Sequence, residues 1–111
     1  MKEGDVVLAA LPISGGGSKN RPVVVRKAMR PYDDLLVCGV STQMHQAVED
    51  FDEILSPGES DYVSSGVAAT SLIRLGYLGL VSQTDVLGTI GEISKERHKR
   101  LLKKLSDYLV E

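Results

Sequence analysis

The sequence is poor in the residues that build metal centres, disulfides and stacking surfaces. It has one cysteine, Cys38, two histidines, His45 and His98, no tryptophan, and an aromatic content of only 5%. A single cysteine excludes an internal disulfide and, with so few histidines, argues against a cysteine–histidine metal site, so we expect neither metal nor cofactor. The scarcity of rings argues against a surface that binds single strands by stacking. Cys38 is expected to be a small buried apolar residue.

Long apolar runs are also missing. No stretch approaches the roughly 18 residues of a membrane span, and the N-terminus lacks the basic-then-apolar pattern of a signal peptide. A soluble cytoplasmic protein is therefore expected, with no membrane partner. The chain has 111 residues, of which 42% are hydrophobic. That length suits one domain with an ordinary core, over residues 1–111.

The net charge of −2 conceals an uneven distribution. Residues 94–111 hold six Lys or Arg against three acids, whereas residues 1–93 hold seven against twelve. A segregated basic face can bind phosphates even in an acidic protein, because the local potential governs the encounter. The same residues can equally form the solvated face of a terminal helix.

The hydrophobic pattern predicts short strands followed by one terminal helix. Strands are expected over residues 5–11, 22–27, 35–40, 52–55, 71–75 and 88–93. A short helix capped by Ser82 precedes the last strand, and a helix capped by Ser94 buries one apolar stripe and exposes its basic residues. Closely spaced strands with an appended helix predict an α+β fold built on a small, strongly curved barrel.

Two polar segments are interpreted as connections rather than sites. Residues 14–18 read Ser-Gly-Gly-Gly-Ser and are expected to form a flexible loop. They do not form a P-loop, because Lys19 is followed by a strand and not by a helix. The acidic run over residues 49–53 is expected to be a solvated edge, with Phe51 and Ile54 turned inward.

Arg21 is the first candidate for chemistry, because it precedes Pro22 and three successive valines. Proline cannot donate to a ladder and belongs at a strand's first residue, which places Arg21 on the loop side of that boundary. A buried strand holds such a position fixed, and a guanidinium there can bind a phosphate through two parallel hydrogen bonds. The alternative is a structural ion pair with Asp5 or Glu53.

Polar residues also end the third predicted strand, at Ser41, Thr42 and Gln43, with His45 shortly after. A hydroxyl of Ser41 or Thr42 can donate to a phosphate oxygen or hold a leaving group in line. His45 has the titration range for proton transfer. In the alternative interpretation, Ser41 caps the turn and His45 is an exposed bystander.

Four segments occur in the order and spacing of a known family. They are Gly4-Asp5-Val6-Val7-Leu8, Arg21-Pro22-Val23-Val24-Val25, Val40-Ser41-Thr42-Gln43 and Ser71-Leu72-Ile73-Arg74-Leu75. Together they resemble the MazF/PemK toxins of type II toxin–antitoxin modules, over nearly the whole chain. The resemblance implies an SH3-like barrel with appended helices, a homodimer, and metal-independent, sequence-specific cleavage of single-stranded RNA through its 2′-hydroxyl. It also implies a cognate antitoxin that covers the RNA groove.

The resemblance assigns roles to particular residues. Those implied to be catalytic are Arg21 and Ser41, and the resemblance also supports Arg74 in binding or cleaving RNA. The further catalytic or RNA-binding candidates, which do not rest on the resemblance, are Thr42, Lys19, Gln43 and His45. The alternative for Arg74 is a structural ion pair with Asp52, Glu53 or Asp61.

Two positions depart from the family pattern. Gly76 stands where many relatives carry an aspartate, and Leu80 stands where a threonine is expected. These departures keep a second interpretation open, in which the chain is a catalytically silent module of the same fold that binds RNA or a protein partner.

Overall fold

The computed structural model describes residues 1–12 and 15–111, and the strands in those ranges form one antiparallel sheet. The strands are β1 (Asp5–Pro12), β2 (Ser18–Met29), β3 (Asp34–Ser41), β4 (Glu53–Leu55), β5 (Ser71–Val81) and β6 (Val86–Glu92). The helices are α1 (Tyr62–Ser65) and α2 (Lys95–Leu109), and single 3₁₀ turns lie at Met44–Gln46 and Gln83–Asp85. This arrangement is the predicted α+β class.

The sheet is strongly curved. Its strand order is β4-β5-β3-β2-β1-β6, and register shifts interrupt the β1–β6, β2–β3 and β3–β5 ladders. Such irregularities bend a sheet. A methyl group at Gly79 of β5 would consequently lie only 3.2 Å from Leu11 of β1, although two strands separate β5 from β1 in the sheet. Within the described ranges, β4 and β6 each pair on one side only, so hydrogen bonds do not close the sheet into the expected barrel.

Strand alternation distributes the apolar side chains over two cores. Val24 faces a core that α2 covers through Leu101. Val23 and Val25 face the other core, which also contains Leu11 and therefore lies inside the curve of the sheet. The three valines thus contribute to both layers, and they fix β2 between them.

Cys38 is fully buried, as predicted. It packs in the core beneath α2. Burial raises the pKa of its thiol to about 11, so the group is an inert apolar filler near neutral pH.

Strand β2 is longer than predicted, because it begins at Ser18 and not at Pro22. Arg21 and Pro22 therefore lie inside the strand, paired with β1, and the expected placement of Arg21 on a loop was wrong. Proline is tolerated there because the ladder to β3 begins only at Val23, which leaves Pro22 on a locally unpaired edge.

The glycine-rich segment before β2 is described only in part. Gly15, Gly16 and Gly17 all have positive φ, a conformation that glycine adopts without steric cost. Ser14, which belongs to the same predicted loop, lies outside the described residues. Ser18 is the first residue of β2 and not part of the loop.

The other predicted elements are found with shifted bounds. Strand β5 differs most, since it continues to Val81 instead of ending at Leu75. The Ser82 hydroxyl accepts the backbone N–H of Thr84, as expected of a cap, and the short helix that follows is a 3₁₀ turn. Helix α1 was not predicted, because four residues are too few to show helical periodicity. Of the helices that the structure describes, none has both the length and the apolar character to cross a membrane.

Helix α2 begins as predicted, because the Ser94 hydroxyl accepts the backbone N–H of Arg97 at 3.1 Å. Its basic face is not simply exposed, however. Arg97 is 5% exposed and forms ion pairs of 2.8 Å with both Glu53 and Asp61. Arg100 and Lys104 also contact Glu53, at 2.7 and 3.0 Å. The prediction that the helix exposes its basic residues was therefore wrong for Arg97, which is buried, and for Lys104, which is half-buried, whereas Arg100 is exposed as expected although it is paired.

Strand β4 reverses the orientation expected for the acidic run. Glu53 is buried and Ile54 is exposed, because Leu55 occupies the inner face and alternation places Glu53 on the same side. The inward placement predicted for Ile54 was wrong by one residue of register. Phe51, by contrast, packs against the core as expected.

Candidate functional site

A cleft of about 830 Å³ opens where β2, β3 and β5 approach one another. Its cationic lining residues are Lys19, Arg21 and Arg74, and none of the described lining residues is acidic. The lining also includes polar side chains and the small apolar segment Val67-Ala68-Ala69. A concave surface lined by positive charges concentrates anions.

Arg21 projects from β2 into this cleft. It is partly buried, and its Nε is fully enclosed with no hydrogen-bond partner within the described structure. The acids expected as alternative partners are engaged elsewhere. Asp5 accepts the backbone N–H of Lys2, and Glu53 contacts the basic residues of α2. The structural ion pair expected as an alternative for Arg21 is therefore not formed.

Arg74 reaches the same cleft from β5, opposite Gly39 of β3. Its alternative partners are occupied as well. Asp52 accepts the backbone N–H groups of Leu75 and Val48, both at 2.9 Å, and Asp61 binds the guanidinium of Arg97. The arginine ion pairs in the described part of the chain are those of Arg97 and Arg100.

Tyr77 lies between the two cleft arginines and was not predicted from the sequence as a site residue. Its ring centroid is 5.8 Å from the Arg21 Cζ and 5.1 Å from the Arg74 Cζ. Both separations fall within the range of a cation–π interaction. A sequence signal existed in Gly39, since an isolated glycine inside a strand often marks a close approach by another group.

The polar residues after β3 form a turn that borders the cleft. The Ser41 hydroxyl accepts the backbone N–H of Gln43 at 3.0 Å and donates to the side-chain oxygen of Gln46 at 3.4 Å. Ser41 therefore does cap this turn, as its alternative interpretation expected. Ser41, Thr42 and Gln43 all line the cleft as well, so capping and a role at the site are compatible.

The structure brings together most of the residues nominated from the sequence. The cleft is lined by six of them, namely Lys19, Arg21, Ser41, Thr42, Gln43 and Arg74. His45 is exposed in the 3₁₀ turn beside the cleft and is not among its described lining residues. Gly76 is exposed next to Tyr77, and Leu80 is exposed further along β5.

His98 is a structural residue at a distance from this chemistry. It lies on the buried side of α2, and its Nε2 lies 3.1 Å from Glu3. Burial lowers the pKa of His98, so the ring is neutral in the folded protein at neutral pH. In the described residues, no three His, Cys, Asp or Glu side chains are grouped so as to hold a metal ion.

The chemical capability of the site follows from these placements. Two guanidinium groups and one ammonium group can bind phosphate oxygens, and hydroxyl and amide groups stand beside them. The described lining offers neither a carboxylate nor a histidine for proton transfer. The site is therefore suited to binding and stabilising a phosphodiester more than to general acid–base chemistry.

Comparison with protein families gives one match. Residues 2–109 match the family described as PemK-like, MazF-like toxin of type II toxin-antitoxin system. The matched range includes all the described residues that line the cleft. A search of curated proteins gives no match.

Proposed function

The chain belongs to the PemK-like and MazF-like toxins of type II toxin–antitoxin systems, and from this premise we propose that its cleft cleaves single-stranded RNA without a metal ion. The observation that carries the proposal is the cleft itself, which Arg21 and Arg74 line with no carboxylate among the described lining residues. Membership of a type II system implies an antitoxin partner. The proposed RNA substrate supports a cytoplasmic location.

The reaction requires no external nucleophile. The 2′-hydroxyl of the substrate attacks the adjacent phosphorus, the bond to the 5′-oxygen breaks, and a 2′,3′-cyclic phosphate forms. The proton of the 2′-hydroxyl passes to solvent, and the departing 5′-oxygen takes up a proton. Negative charge accumulates on the phosphorane oxygens, and Arg21 is placed to donate to two of them.

Ser41 and Thr42 contribute hydrogen bonds at the edge of the cleft. Because Ser41 accepts from Gln43, its oxygen is held in one place, and on RNA binding its hydroxyl exchanges the long hydrogen bond to Gln46 for one to a third phosphate oxygen. Lys19 and Gln43 bind flanking phosphates or bases. His45 receives no step in this scheme, because it lies outside the described lining.

Recognition by an antitoxin and by a second copy completes the proposal. A disordered acidic segment of the antitoxin would cover the cationic cleft and mimic the phosphate backbone. A homodimer would bury Leu78 and Leu80, which are exposed on the same face of β5 at alternate positions. Family membership also supports treating the curved open sheet as a variant of the SH3-like barrel.

One observation favours a second candidate, a silent module that binds RNA without cutting it. The cleft has cations but no acid among its described lining residues. Gly76, where the family pattern leads us to expect an aspartate, is not one of these lining residues, and a side chain there would meet Phe51. Phosphate binding survives the absence of an acid more readily than proton transfer does.

The test is the cleavage of a long single-stranded RNA by purified protein in excess chelator. Wild-type protein is expected to give discrete fragments, and Arg21→Ala to reduce the rate by about a hundredfold to a thousandfold. Lys99→Ala is the matched control, since it removes a cation from the exposed face of α2 and should leave the rate within about twofold. If the RNA is bound but stays intact at high protein concentration, the enzyme proposal fails and the silent module is supported.

A further inference from the structure

The geometry points to Tyr77 as a positioning residue that holds Arg21 and Arg74 against one aromatic ring and so fixes them as a pair. This inference rests on the RNA-cleaving function proposed above, and it adds a residue to which the sequence assigned no role. Both guanidinium carbons lie within 6 Å of the same ring centroid. The two arginines come from different strands, β2 and β5, with β3 between them. The ring is thus a contact that the two arginines share.

The position of the ring is itself fixed by the backbone around it. The ladder between β3 and β5 passes from Cys38–Leu78 to Gly39–Arg74, so residues 75–77 form a bulge with no partner on β3. Asp52 binds this bulge by accepting the N–H of Leu75. Bulges commonly redirect a side chain near a functional site.

Gly39 provides the space into which the ring is directed. A Cβ at this position would lie 2.5 Å from the Cδ2 of Tyr77, which is closer than any real contact. The ring therefore rests directly on the backbone of β3. Two features on different strands therefore position the ring. They are the absence of a side chain at Gly39 of β3 and the bulge at residues 75–77 of β5.

An aromatic ring suits this task better than a carboxylate would. Two guanidinium groups in one cleft repel each other, and no described lining residue offers a negative charge to offset the repulsion. The negative face of the ring attracts both cations. A carboxylate would occupy the N–H donors, whereas a ring contact leaves them free for phosphate oxygens.

The consequence is a specific kinetic role. If the ring fixes the two guanidinium groups relative to each other, loss of the ring lets them move apart. Their N–H groups are then misplaced for hydrogen bonds to the phosphorane oxygens, on which negative charge develops. Misplacement by about 1 Å can reduce a rate by roughly a hundredfold. The maximal rate should therefore fall by about tenfold to a hundredfold, with a smaller change in the half-saturating RNA concentration.

The experiment compares Tyr77→Phe, Tyr77→Leu and Gly39→Ala with wild-type protein in single-turnover cleavage. Equilibrium binding of the same RNA with 2′-O-methyl groups, which lacks the nucleophile, is measured on the same samples. Tyr77→Phe keeps the ring and should cleave clearly faster than the other two variants, which should show the loss stated above. Tyr32→Leu, at an exposed turn position, is the control for losing a tyrosine.

A double-mutant cycle separates positioning from general damage to the fold. Arg74→Ala should cost much less in the Tyr77→Leu background than in wild type, because the arginine is already misplaced there. A purely structural role for Tyr77 would leave the two costs equal, and that result overturns the inference. If Tyr77→Leu does not fold, Gly39→Ala replaces it in the cycle, since it displaces the ring without removing it.

The outcomes distinguish this inference from the function on which it rests. If wild type cleaves RNA and Tyr77→Leu matches Tyr77→Phe, the positioning role is wrong and the ribonuclease proposal stands. If wild type binds without cleaving, the ribonuclease proposal fails, and weaker binding by Tyr77→Leu than by Tyr77→Phe still supports the paired arginines. If wild type neither binds nor cleaves, both are overturned.

Discussion

Arg26 is a fully buried arginine whose guanidinium is largely unpartnered. It lies in the middle of β2 beneath α2, and its Nη2 donates to the carbonyl oxygen of His98 at 3.2 Å. Its Nε and Nη1 have no hydrogen-bond partner in the described structure. Burial lowers the pKa of Arg26, which reflects the cost of keeping a charge in this place.

We expect Arg26→Met to raise the free energy of unfolding by about 1 kcal/mol, because a similar apolar volume replaces an unsatisfied charge. Urea unfolding at neutral pH measures this change. Arg26→Gln is the control, since it shortens the side chain but keeps a polar group in the core, and it should lower stability. A loss of stability in the Met variant as large as that in the Gln variant would show that the charge itself is needed.

At the scale of single residues, the sequence predicted the residues that line the cleft better than the residues that hold them in position. Arg21, Ser41 and Arg74 occupy recognisable motif positions, so their proximity could be expected. Tyr77 and Gly39 could not be paired in advance, because their contact depends on a bulge that no periodicity reveals. The acidic residues that could have paired with the cleft arginines bind other groups instead. This arrangement is also visible only in three dimensions.

The attachment of α2 to the sheet depends on a buried cluster of charges. Glu53 of β4 accepts hydrogen bonds from Arg97 and Arg100 of the helix and lies 3.0 Å from Lys104. Asp61, just before α1, binds Arg97 through two further hydrogen bonds. The cluster therefore links β4, α1 and α2, and it adds to the apolar contacts that α2 makes through Leu101, Leu105 and the ring of Tyr108 against Phe51.

We expect Glu53→Gln to lower the free energy of unfolding by about 3 kcal/mol, because it leaves the buried guanidinium of Arg97 with one fewer counter-charge. Glu96→Gln is the control, as it makes the same change at an exposed position in the first turn of α2 and should cost less than about 1 kcal/mol. Chemical unfolding measures both variants. Equal effects would mean that the cluster does not hold the helix.

The same cluster predicts how stability depends on pH. Burial raises the pKa of Glu53, but hydrogen bonds from Arg100 and Lys104 outweigh it and leave the pKa below its ordinary value. Asp61 has a lowered pKa for the corresponding reason, through Arg97. Folding therefore favours the ionised carboxylates.

Their contribution is complete above the unfolded pKa values of about 4 and is lost as the pH falls through the lower folded values. Unfolding free energy measured from pH 7 to pH 3 should decline steeply below about pH 4 in wild type and less steeply in Glu53→Gln. Parallel curves for the two proteins would contradict this assignment.

At the scale of elements, strand existence was predictable and strand length was not. The alternation around Val23 to Val25 located β2, but its extension through Arg21 and Pro22 depends on pairing with β1 alone, which a sequence does not display. Strand β5 was cut short at Leu75 because the bulge interrupts its alternation there. Glu53 and Ile54 exchanged faces because the ion pairs of Glu53 outweigh the apolar preference of Ile54.

Across the whole molecule, the charge distribution differs from the one that the sequence suggests. The basic C-terminal segment looks like an anion-binding face, yet three of its cations are neutralised by Glu53, Glu59 and Asp61. The cations of the cleft have no such partners among the described lining residues. Phosphate binding is therefore expected in the cleft and not along α2.

The salt dependence of RNA binding tests this distribution. If Lys19, Arg21 and Arg74 are the phosphate contacts, the logarithm of the binding constant should fall against the logarithm of salt concentration with a slope of about −2 for a single strand. Arg74→Ala should reduce that slope by about 0.7, and Lys99→Ala should leave it unchanged. A much steeper slope that depends on Lys99 would place the RNA on the helix instead.

The chemical identity of the cleavage products tests the central claim most directly. A short single-stranded RNA is incubated with wild-type protein in excess chelator, and the ends of the fragments are determined by mass. The proposed attack by the 2′-hydroxyl predicts a 2′,3′-cyclic phosphate on one fragment and a free 5′-hydroxyl on the other, with the same fragments forming about a hundredfold or more slowly with Arg21→Ala. Fragments with a 5′-phosphate and a 3′-hydroxyl, or RNA that stays intact with wild type, would contradict the account.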